Sequence, residues 1–319
     1  MRIAVTRRID EQSIARLREV GEVEYWDQDL PPNPEQLRTL LSDVDGALIL
    51  LTDPISGDLL DQCPKLRVVS NLAVGYDNID VQACTDRGVA ACTTPNVLTQ
   101  TTAEFTIALL FAVARGIVPA ARAASDGDWL TWYPFRFLGR DLAGATLGLV
   151  GLGRIGRRVG EMAAAIGMTV MYSDEGIVVD DFERVPLEQL LQTADVVSLH
   201  VPLTPETRGL IGHGALAMMK QDAILINTAR GPVVDTDALV AALERGHLAG
   251  VGLDVTDPEP LPHTHPLYSF DRVTIAPHIA SASSSTRHQM AALAADNVIA
   301  VLTGTEPPNC LNPEVLTRD

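Results

Sequence analysis

Short apolar segments alternate with helical segments along most of this chain, and no other feature constrains its fold as strongly. In the first hundred residues the pattern predicts five strands, at 3–6, 22–25, 47–51, 66–71 and 89–93. A strand that is followed by a helix pairs in parallel with a later strand, and the helices then cover both faces of the sheet. The N-terminal part is therefore predicted to be a doubly wound α/β domain.

A second alternating set begins near residue 146. It predicts six more strands, at 146–150, 169–173, 196–199, 223–227, 250–255 and 273–276. Nearly all of their residues are apolar, as in strands that helices cover on both faces. Six parallel strands with intervening helices match the Rossmann dinucleotide-binding domain in number.

Two long helical segments, 101–115 and 283–302, fall outside both predicted sheets. The first is mostly apolar, so we expect it to be buried on every side, between domains or between subunits. The second follows the last predicted strand and is expected to cross back to the first domain. The chain then divides into a discontinuous domain, 1–98 with 286–319, and an inserted domain, 99–285.

The charge and the cysteines exclude several classes of protein. Asp and Glu number 41 against 24 Lys and Arg, a formal net charge of −17, and so acidic a surface repels nucleic acid and anionic membranes. The longest apolar run, 105–114, is about half as long as a membrane span. Four scattered cysteines form no CxxC pair, so we expect neither a disulfide framework nor a metal site. With no apolar signal segment at the N-terminus, these features predict a cytoplasmic protein.

Glycines at 151, 153 and 156 form a GxGxxG motif directly after the predicted strand 146–150. In that context Gly151 permits a tight turn, Gly153 lets the backbone approach a pyrophosphate, and Gly156 lets the following helix pack closely on the strand. The free N–H groups at the start of that helix suit phosphate binding. The alternative is a strand–turn–helix junction that is merely packed through small residues.

Asp174 ends the next strand, 18 residues after Gly156, where a carboxylate accepts hydrogen bonds from an adenosine ribose. The same carboxylate repels the 2′-phosphate of NADP by roughly 1–4 kcal/mol at about 4 Å. Glu175 follows, and the nearest arginine in the sequence is Arg184. We therefore expect NAD rather than NADP, although an acidic residue at a strand end is also common without a nucleotide.

Three polar side chains, Arg230, Glu259 and His278, each follow one of the last three predicted strands. Ligands of open α/β sheets bind beyond the carboxyl ends of the strands, so these side chains are predicted to meet beside the nicotinamide. Arg230 suits the carboxylate and carbonyl of a 2-keto acid, His278 suits proton donation to the carbonyl oxygen, and Glu259 favours the protonated histidine. Taken singly, each also has a structural explanation, as a hydrogen-bonded histidine or a rigid Pro-Glu-Pro loop.

These motifs resemble the D-isomer-specific 2-hydroxyacid dehydrogenase family over nearly the whole chain. The resemblance is carried by the segments 71–80 (NLAVGYDNID), 151–156 (GLGRIG), 227–231 (NTARG), 252–255 (GLDV), 259–260 (EP) and 277–281 (PHIAS). It implies a Rossmann NAD-binding domain, 99–285, inserted into a discontinuous flavodoxin-like substrate domain. It also implies that Arg230, Glu259 and His278 are the catalytic residues.

The same resemblance implies two sets of binding residues. The N–H groups of Val74 and Gly75 are implied to hold the substrate carboxylate. The remaining residues implied to contact substrate are Leu51, Trp132, Arg230 and His278. The residues implied to contact the cofactor are Thr102, Gly151, Gly153, Arg154, Ile155, Gly156, Asp174, His200, Val201, Pro202, Thr207, Thr228, Ala229, Arg230, Asp254 and His278.

Within the family, the segments 50–53 and 129–139 resemble glyoxylate/hydroxypyruvate reductases, in which an aromatic residue of the second segment closes the pocket from the neighbouring subunit. Many of those reductases have an arginine near the position of Asp174 and use NADP, so this chain departs from them there. We expect a homodimer that reduces glyoxylate or hydroxypyruvate with NADH. The alternatives are a 3-phosphoglycerate or phosphite dehydrogenase on the same scaffold, and a non-enzymatic NAD-sensing corepressor.

Overall fold

The computed structural model describes residues 1–317 and divides the chain into two compact units. Unit 1 consists of Met1–Leu98 together with the C-terminal segment that begins at Ser283, and unit 2 consists of Thr99–Ala282. The sequence pattern predicts that the second segment of unit 1 begins at residue 286. In the structure it begins three residues earlier, because Ser283 is already the N-cap of the last long helix.

Unit 1 begins with alternating strands and helices. Its elements up to residue 98 are β1 (Arg2–Val5), α1 (Glu11–Arg18), β2 (Glu22–Tyr25), α2 (Pro34–Leu41), β3 (Gly46–Ile49), α3 (Gly57–Leu60), β4 (Val68–Asn71), α4 (Val81–Asp86) and β5 (Ala90–Cys92). The strands pair in parallel in the order β2-β1-β3-β4-β5, which is the flavodoxin-like order. The predicted fold class of this domain is confirmed.

The sheet of unit 1 forms because its central strands, β3 and β4, are buried along their whole length. On one face, helix α2 starts at a capping box between Asn33 and Gln36. It then buries Leu37, Leu40 and Leu41 against the strands. This packing leaves the carboxyl ends of β1, β3, β4 and β5 at one edge.

Unit 2 contains the second alternating set. Its elements are α5 (Thr99–Ala114), α6 (Ile117–Ser125), β6 (Thr146–Val150), α7 (Arg154–Ala165), β7 (Thr169–Ser173), β8 (Glu183–Arg184), α8 (Leu187–Thr193), β9 (Val196–Leu199), α9 (His213–Met218), β10 (Ile224–Asn227), α10 (Thr236–Glu244), β11 (Gly250–Leu253) and β12 (Val273–Ile275). The parallel sheet has the order β12-β11-β10-β9-β6-β7-β8. The direction of winding reverses between β6 and β9, as in the predicted Rossmann domain.

The prediction of six strands in this sheet was one too few for the part of the chain that is described. The additional strand, β8, has only two residues, both exposed, and it pairs with β7 through Met171 and Tyr172. A two-residue polar edge strand has no apolar periodicity, so the sequence pattern could not indicate it.

Helix α5 packs on the sheet of unit 2 and on α7. Its predicted burial on the remaining side, between domains or between subunits, stays a prediction. Its buried residues include Leu109 and Leu110, whereas Glu104 and Ala108 are exposed. The close approach depends on Gly252 of β11, where a Cβ would lie 2.8 Å from Leu109 Cγ. Across residues 1–317, no single helix is long and apolar enough to span a membrane. Helices α5 and α6 reach that length and apolar character only when they are taken together, and the pair is bent by 64°.

The last long helix, α11 (Ser284–Thr303), belongs to unit 1. Ser283 accepts the N–H of Thr286 at its start, and Gly304 ends it with φ of +75°. The helix covers β3 and β4 closely, since a Cβ on Gly46 would lie 3.2 Å from side-chain atoms of Val298 and Leu302. In the structure this helix therefore returns to the first sheet, as the sequence pattern predicts.

Candidate active site

The glycine motif forms the turn between β6 and α7. Gly151 has φ of +90°, and a Cβ there would lie 2.8 Å from the carbonyl oxygen of His200. A Cβ on Gly156 would lie 2.5 Å from the carbonyl oxygen of Gly151. In contrast, a Cβ on Gly153 would meet nothing within 4 Å among residues 1–317, and none of their side chains caps the first N–H groups of α7. The turn thus offers an open approach to an uncapped helix N-terminus, which fits the pyrophosphate of a dinucleotide.

Asp174 ties the end of β7 to this glycine turn. Its Oδ2 accepts the N–H of Leu152 at 2.8 Å, and its Oδ1 accepts the N–H groups of Gly176 and Ile177 at 2.9 Å. The carboxylate therefore lies beside the glycine turn, at the strand end expected for a ribose-binding acid.

Arg184 lies at the same turn, because strand β8 brings it alongside β7. Its guanidinium donates to the carbonyl oxygen of Asp174 at 2.9 and 2.6 Å and to that of Glu175 at 2.9 Å. Sequence reasoning identified Arg184 only as the nearest arginine. Since the guanidinium is bonded to backbone carbonyls, it braces the turn that carries Asp174.

Several other cofactor candidates line the opposite side of the glycine turn, after β9. His200 donates its N–H to Val150 at 2.7 Å, and its Nε2 lies 2.9 Å from Ser198 Oγ. Thr207 Oγ1 donates to the carbonyl oxygen of Pro202 at 2.6 Å and so fixes the loop that also contains Val201. Desolvation lowers the pKa of His200 to about 4, so this side chain is neutral at neutral pH.

The turn after β10 is held by a residue to which sequence reasoning gave no role. Asn227 is fully buried; its Oδ1 accepts the N–H of Ala229 at 3.0 Å and its Nδ2 donates to the carbonyl oxygen of Arg230 at 2.8 Å. Thr228 Oγ1 lies 2.9 Å from Thr106 Oγ1 of α5. Thr106 in turn donates to the carbonyl oxygen of Thr102, the cofactor candidate one helical turn earlier. A buried amide directly before a turn was the signal that could have identified Asn227.

Asp254 joins the ends of β11 and β12. Its carboxylate accepts the N–H groups of Ile279 at 2.7 Å and Ala280 at 2.8 Å, and its carbonyl oxygen accepts the N–H of His278 at 2.8 Å. Asp254 is only 1% exposed, and burial raises the pKa of its carboxyl group. These bonds hold His278 at φ of +54°, an uncommon conformation for a residue other than glycine.

His278 and Glu259 form a direct pair. His278 Nδ1 lies 2.6 Å from Glu259 Oε1, and the side chains are 24% and 36% exposed. Burial by itself raises the pKa of Glu259. The hydrogen bond and charge of His278, the N–H of Thr256 and the charge of Arg230 outweigh burial and lower this pKa overall. Glu259 is therefore a carboxylate at neutral pH, and the Nε2 of His278 is directed away from the pair.

The loops that carry Arg230 and Glu259 are in backbone contact. A Cβ on Gly231 would lie 1.9 Å from the carbonyl oxygen of Thr256, and Thr256 donates its N–H to Glu259 Oε2 at 3.4 Å. Only glycine permits this approach. The structure thus brings Arg230, Glu259 and His278 to one edge of the sheet of unit 2.

The remaining substrate candidates lie elsewhere. In unit 1, Leu51 follows β3, and Val74 and Gly75 follow β4. In unit 2, Trp132 is 81% exposed on the loop after α6. In that loop the guanidinium of Arg136 lies over the rings of Tyr133 and Phe137, at 5.3 and 4.5 Å, so part of it is internally packed.

Comparison with known proteins identifies relatives over the whole length. The family model for D-isomer specific 2-hydroxyacid dehydrogenase, NAD binding domain, matches residues 107–280. The chain is 47% identical over 322 residues to a glyoxylate reductase of Korarchaeum cryptofilum, covering 99% of this chain and 97% of the relative.

Two solved structures are also similar to this chain. One is the TT0316 protein of Thermus thermophilus, with a TM-score of 0.93 and 47% identity over 98% of this chain and 100% of that one. The other is an NADPH-dependent glyoxylate/hydroxypyruvate reductase from Sinorhizobium meliloti, solved with NADP and malonate. Its TM-score is 0.88 at 32% identity, covering 100% of this chain and 98% of that one.

His200 makes the stability of the protein depend on pH. The unfolded chain protonates this side chain below its ordinary pKa of 6.5, whereas the folded protein keeps it neutral down to about pH 4. Stability is therefore lost as the pH falls from about 6.5 toward 4. Between about pH 7.5 and 5, denaturant titration should show wild type losing about 2 kcal/mol more of its free energy of unfolding than His200→Gln.

The exposed His263→Gln variant is the control and should follow wild type. If His200→Gln also follows wild type across this range, the desolvated neutral histidine is not a source of the pH dependence.

Proposed function

The chain belongs to the D-isomer-specific 2-hydroxyacid dehydrogenase family, and we propose that it is an NAD(H)-dependent reductase of a small 2-keto acid, glyoxylate or hydroxypyruvate. The observation that carries the proposal is the 2.6 Å contact between His278 Nδ1 and Glu259 Oε1 at the sheet edge where Arg230 also lies. A paired histidine, a carboxylate partner and an arginine are the groups that reduction of a 2-keto acid requires.

Each side chain has a distinct part in the proposed reaction. When bound, the dihydronicotinamide supplies a hydride to the carbonyl carbon. His278 donates the accompanying proton to the carbonyl oxygen from Nε2, because Nδ1 is engaged by Glu259. The carboxylate of Glu259 orients the ring and stabilises its protonated form until the proton is given up. Arg230 binds the substrate carboxylate through its planar guanidinium and polarises the carbonyl.

NAD is the proposed cofactor. The glycine turn suits the pyrophosphate, and Asp174 suits the hydroxyls of the adenosine ribose while opposing a 2′-phosphate. Arg184 lies at this turn and donates to the carbonyl oxygens of Asp174 and Glu175. These bonds favour a role in holding the turn in place rather than in binding the 2′-phosphate of NADP. We propose that the other cofactor candidates named above also contact NAD, because the family resemblance implies it.

A small substrate is proposed because the resemblance assigns Leu51 and Trp132 to the pocket, with Val74 and Gly75 binding the carboxylate. The glyoxylate reductase relative supports this substrate class. A 3-phosphoglycerate or phosphite dehydrogenase would need additional net positive charge. In unit 1, Arg7 is bonded to Thr52 next to Leu51, but the buried Asp53 lies 4.0 Å away and offsets its charge.

We also propose a cytoplasmic homodimer. Five apolar side chains of one loop, Trp129, Leu130, Trp132, Phe135 and Leu138, are between 71% and 84% exposed in the single chain. An apolar loop of this size favours an interface with a second copy. The resemblance also brings an aromatic residue of this loop to the neighbouring pocket.

A substrate panel tests the proposed activity. With NADH, kcat/KM should be about ten to a hundredfold higher for glyoxylate and hydroxypyruvate than for phenylpyruvate, since a phenyl ring would overpack the pocket by roughly 1–3 kcal/mol. NADPH should be the poorer cofactor. Absence of turnover would favour the corepressor alternative. Preference for phenylpyruvate, for 3-phosphohydroxypyruvate (the keto acid that corresponds to 3-phosphoglycerate) or for NADPH would refute the corresponding part of the proposal.

Glu259→Gln tests the histidine pair. The variant loses the negative charge that is bonded to His278 Nδ1, so the reductase rate should begin to fall at a lower pH than in wild type. The pH profile of kcat/KM measures this shift. Asp257→Asn, on the same exposed loop, is the control and should leave the profile in place. A Glu259→Gln profile identical to wild type would mean that the pair does not act in proton donation.

Light scattering at micromolar concentration tests the homodimer and should give twice the mass of one chain. Trp129→Asp combined with Leu130→Asp should shift the protein toward the monomer, because both side chains are exposed and apolar in the single chain. A monomeric wild-type protein would refute the dimer.

A further inference from the structure

Buried polar atoms without a hydrogen-bond partner concentrate at one edge of unit 1. Within residues 1–317 six such side-chain atoms occur, and four belong to Arg7, Asp53, Asn71 and Thr94. These residues lie at or just beyond the carboxyl ends of β1, β3, β4 and β5. Proteins rarely leave buried polar atoms unsatisfied, so this edge is organised for more than packing.

The loop after β4 presents two backbone N–H groups at this edge. Its carbonyls are tied to the protein: that of Ala73 accepts the N–H of Thr94 at 2.8 Å, and that of Gly75 accepts Asn71 Nδ2 at 2.9 Å. The N–H groups of Val74 and Gly75 have no acceptor within hydrogen-bond distance in the described chain. A loop with bound carbonyls and free N–H groups suits an anion.

Asn78 connects this loop to the loop after β3. Its Nδ2 donates to the carbonyl oxygens of Leu50 at 3.2 Å and Asp53 at 3.0 Å. Its Oδ1 accepts Asn71 Nδ2 at 3.0 Å, the same nitrogen that donates to Gly75. One side chain therefore links the carbonyl of Gly75, through Asn71, to a neighbouring loop.

The loop to which Asn78 is bonded is itself firmly held. Asp53 is only 1% exposed. Its Oδ2 accepts the N–H of Leu50 at 2.8 Å and the hydroxyl of Thr6. The guanidinium of Arg7 donates to Thr52 Oγ1 at 2.8 Å. Asn78 thus has a rigid support against which it can position the Val74–Gly75 loop.

We propose that Asn78 is a positioning residue that fixes the N–H groups of Val74 and Gly75 in the orientation that binds the substrate carboxylate. The inference rests on the proposed function, which assigns the carboxylate to those two groups. Asn78 acts through Asn71 and through the backbone of its own loop, and it does not touch the substrate.

An amide is the group that this position requires. It donates to two carbonyls through Nδ2 while it accepts from Asn71 through Oδ1. Aspartate has the same shape but cannot donate, and it would place a carboxylate against the carbonyl oxygens of Leu50 and Asp53. Asn78→Asp therefore breaks the link to the supporting loop with little change in volume.

Steady-state kinetics of Asn78→Asp test the proposal. We expect the KM for glyoxylate to rise about tenfold, equivalent to about 1.4 kcal/mol, with kcat within about twofold of wild type and the KM for NADH unchanged. Hydrogen exchange of the peptide that contains residues 72–76 should become faster, because the loop loses its support.

Asn312→Ala is the matched control. Asn312 is also a buried asparagine of unit 1, with bonds to Ala91, Thr85 and Val89. This variant should lower the melting temperature without changing the KM for glyoxylate or the exchange of residues 72–76.

The outcomes separate this inference from the proposed function. If wild type reduces no 2-keto acid, the proposed function is wrong. In that case hydrogen exchange still tests the positioning of the loop, and unchanged exchange in Asn78→Asp would overturn it. If wild type is active and Asn78→Asp leaves either the KM for glyoxylate or the exchange of residues 72–76 unchanged, the inference alone is overturned, because a rise in KM without faster exchange would come from the added negative charge. An equal rise in KM for Asn312→Ala would overturn it as well, since the effect would then come from general destabilisation.

Discussion

The buried carboxylate of Asp254 joins the ends of neighbouring strands, and the arrangement of the candidate catalytic side chains depends on that junction. The backbone N–H of Asp254 donates to the carbonyl oxygen of Asn227, and its carbonyl oxygen accepts the N–H of His278. Its carboxylate oxygens accept the N–H groups of Ile279 and Ala280. A carboxylate that is 1% exposed is costly to bury, and two charge-assisted hydrogen bonds offset that cost. The same bonds hold His278 in a strained backbone conformation beside Glu259.

A second carboxylate organises the candidate cofactor edge of the same sheet. Asp174 accepts the N–H of Leu152 within the glycine turn, and Arg184 braces the backbone of Asp174 from strand β8. Because Gly151 and Gly156 leave no space for side chains, the turn has little freedom once this bond is made. The glycines provide the shape, and the carboxylate and arginine keep that shape in place.

Unit 1 reaches a comparable result with neutral amides. Asn71 and Asn78 hold the loop that presents two free N–H groups, while the buried carboxylate of Asp53 lies 4.0 Å from the guanidinium of Arg7. An amide carries no net charge and therefore does not repel an anion that approaches the loop. Carboxylates suit the positioning of a histidine, because they accept its ring N–H and the backbone N–H groups that follow it, and amides suit the positioning of a loop whose own N–H groups are left free.

Both parallel sheets can be predicted from the residue pattern, because buried strands between helices leave an apolar signal, and the pattern also indicates the glycine turn between β6 and α7. It also predicted that Arg230, Glu259 and His278 would meet, because the carboxyl ends of parallel strands share one edge. Tertiary structure alone decided the packing of α5, the pairing of β8, and the bonds made by Asn78, Asp254 and Arg184. Those bonds join side chains to backbone atoms elsewhere in the chain, and no local pattern of residue types specifies which carbonyl or N–H a side chain will reach.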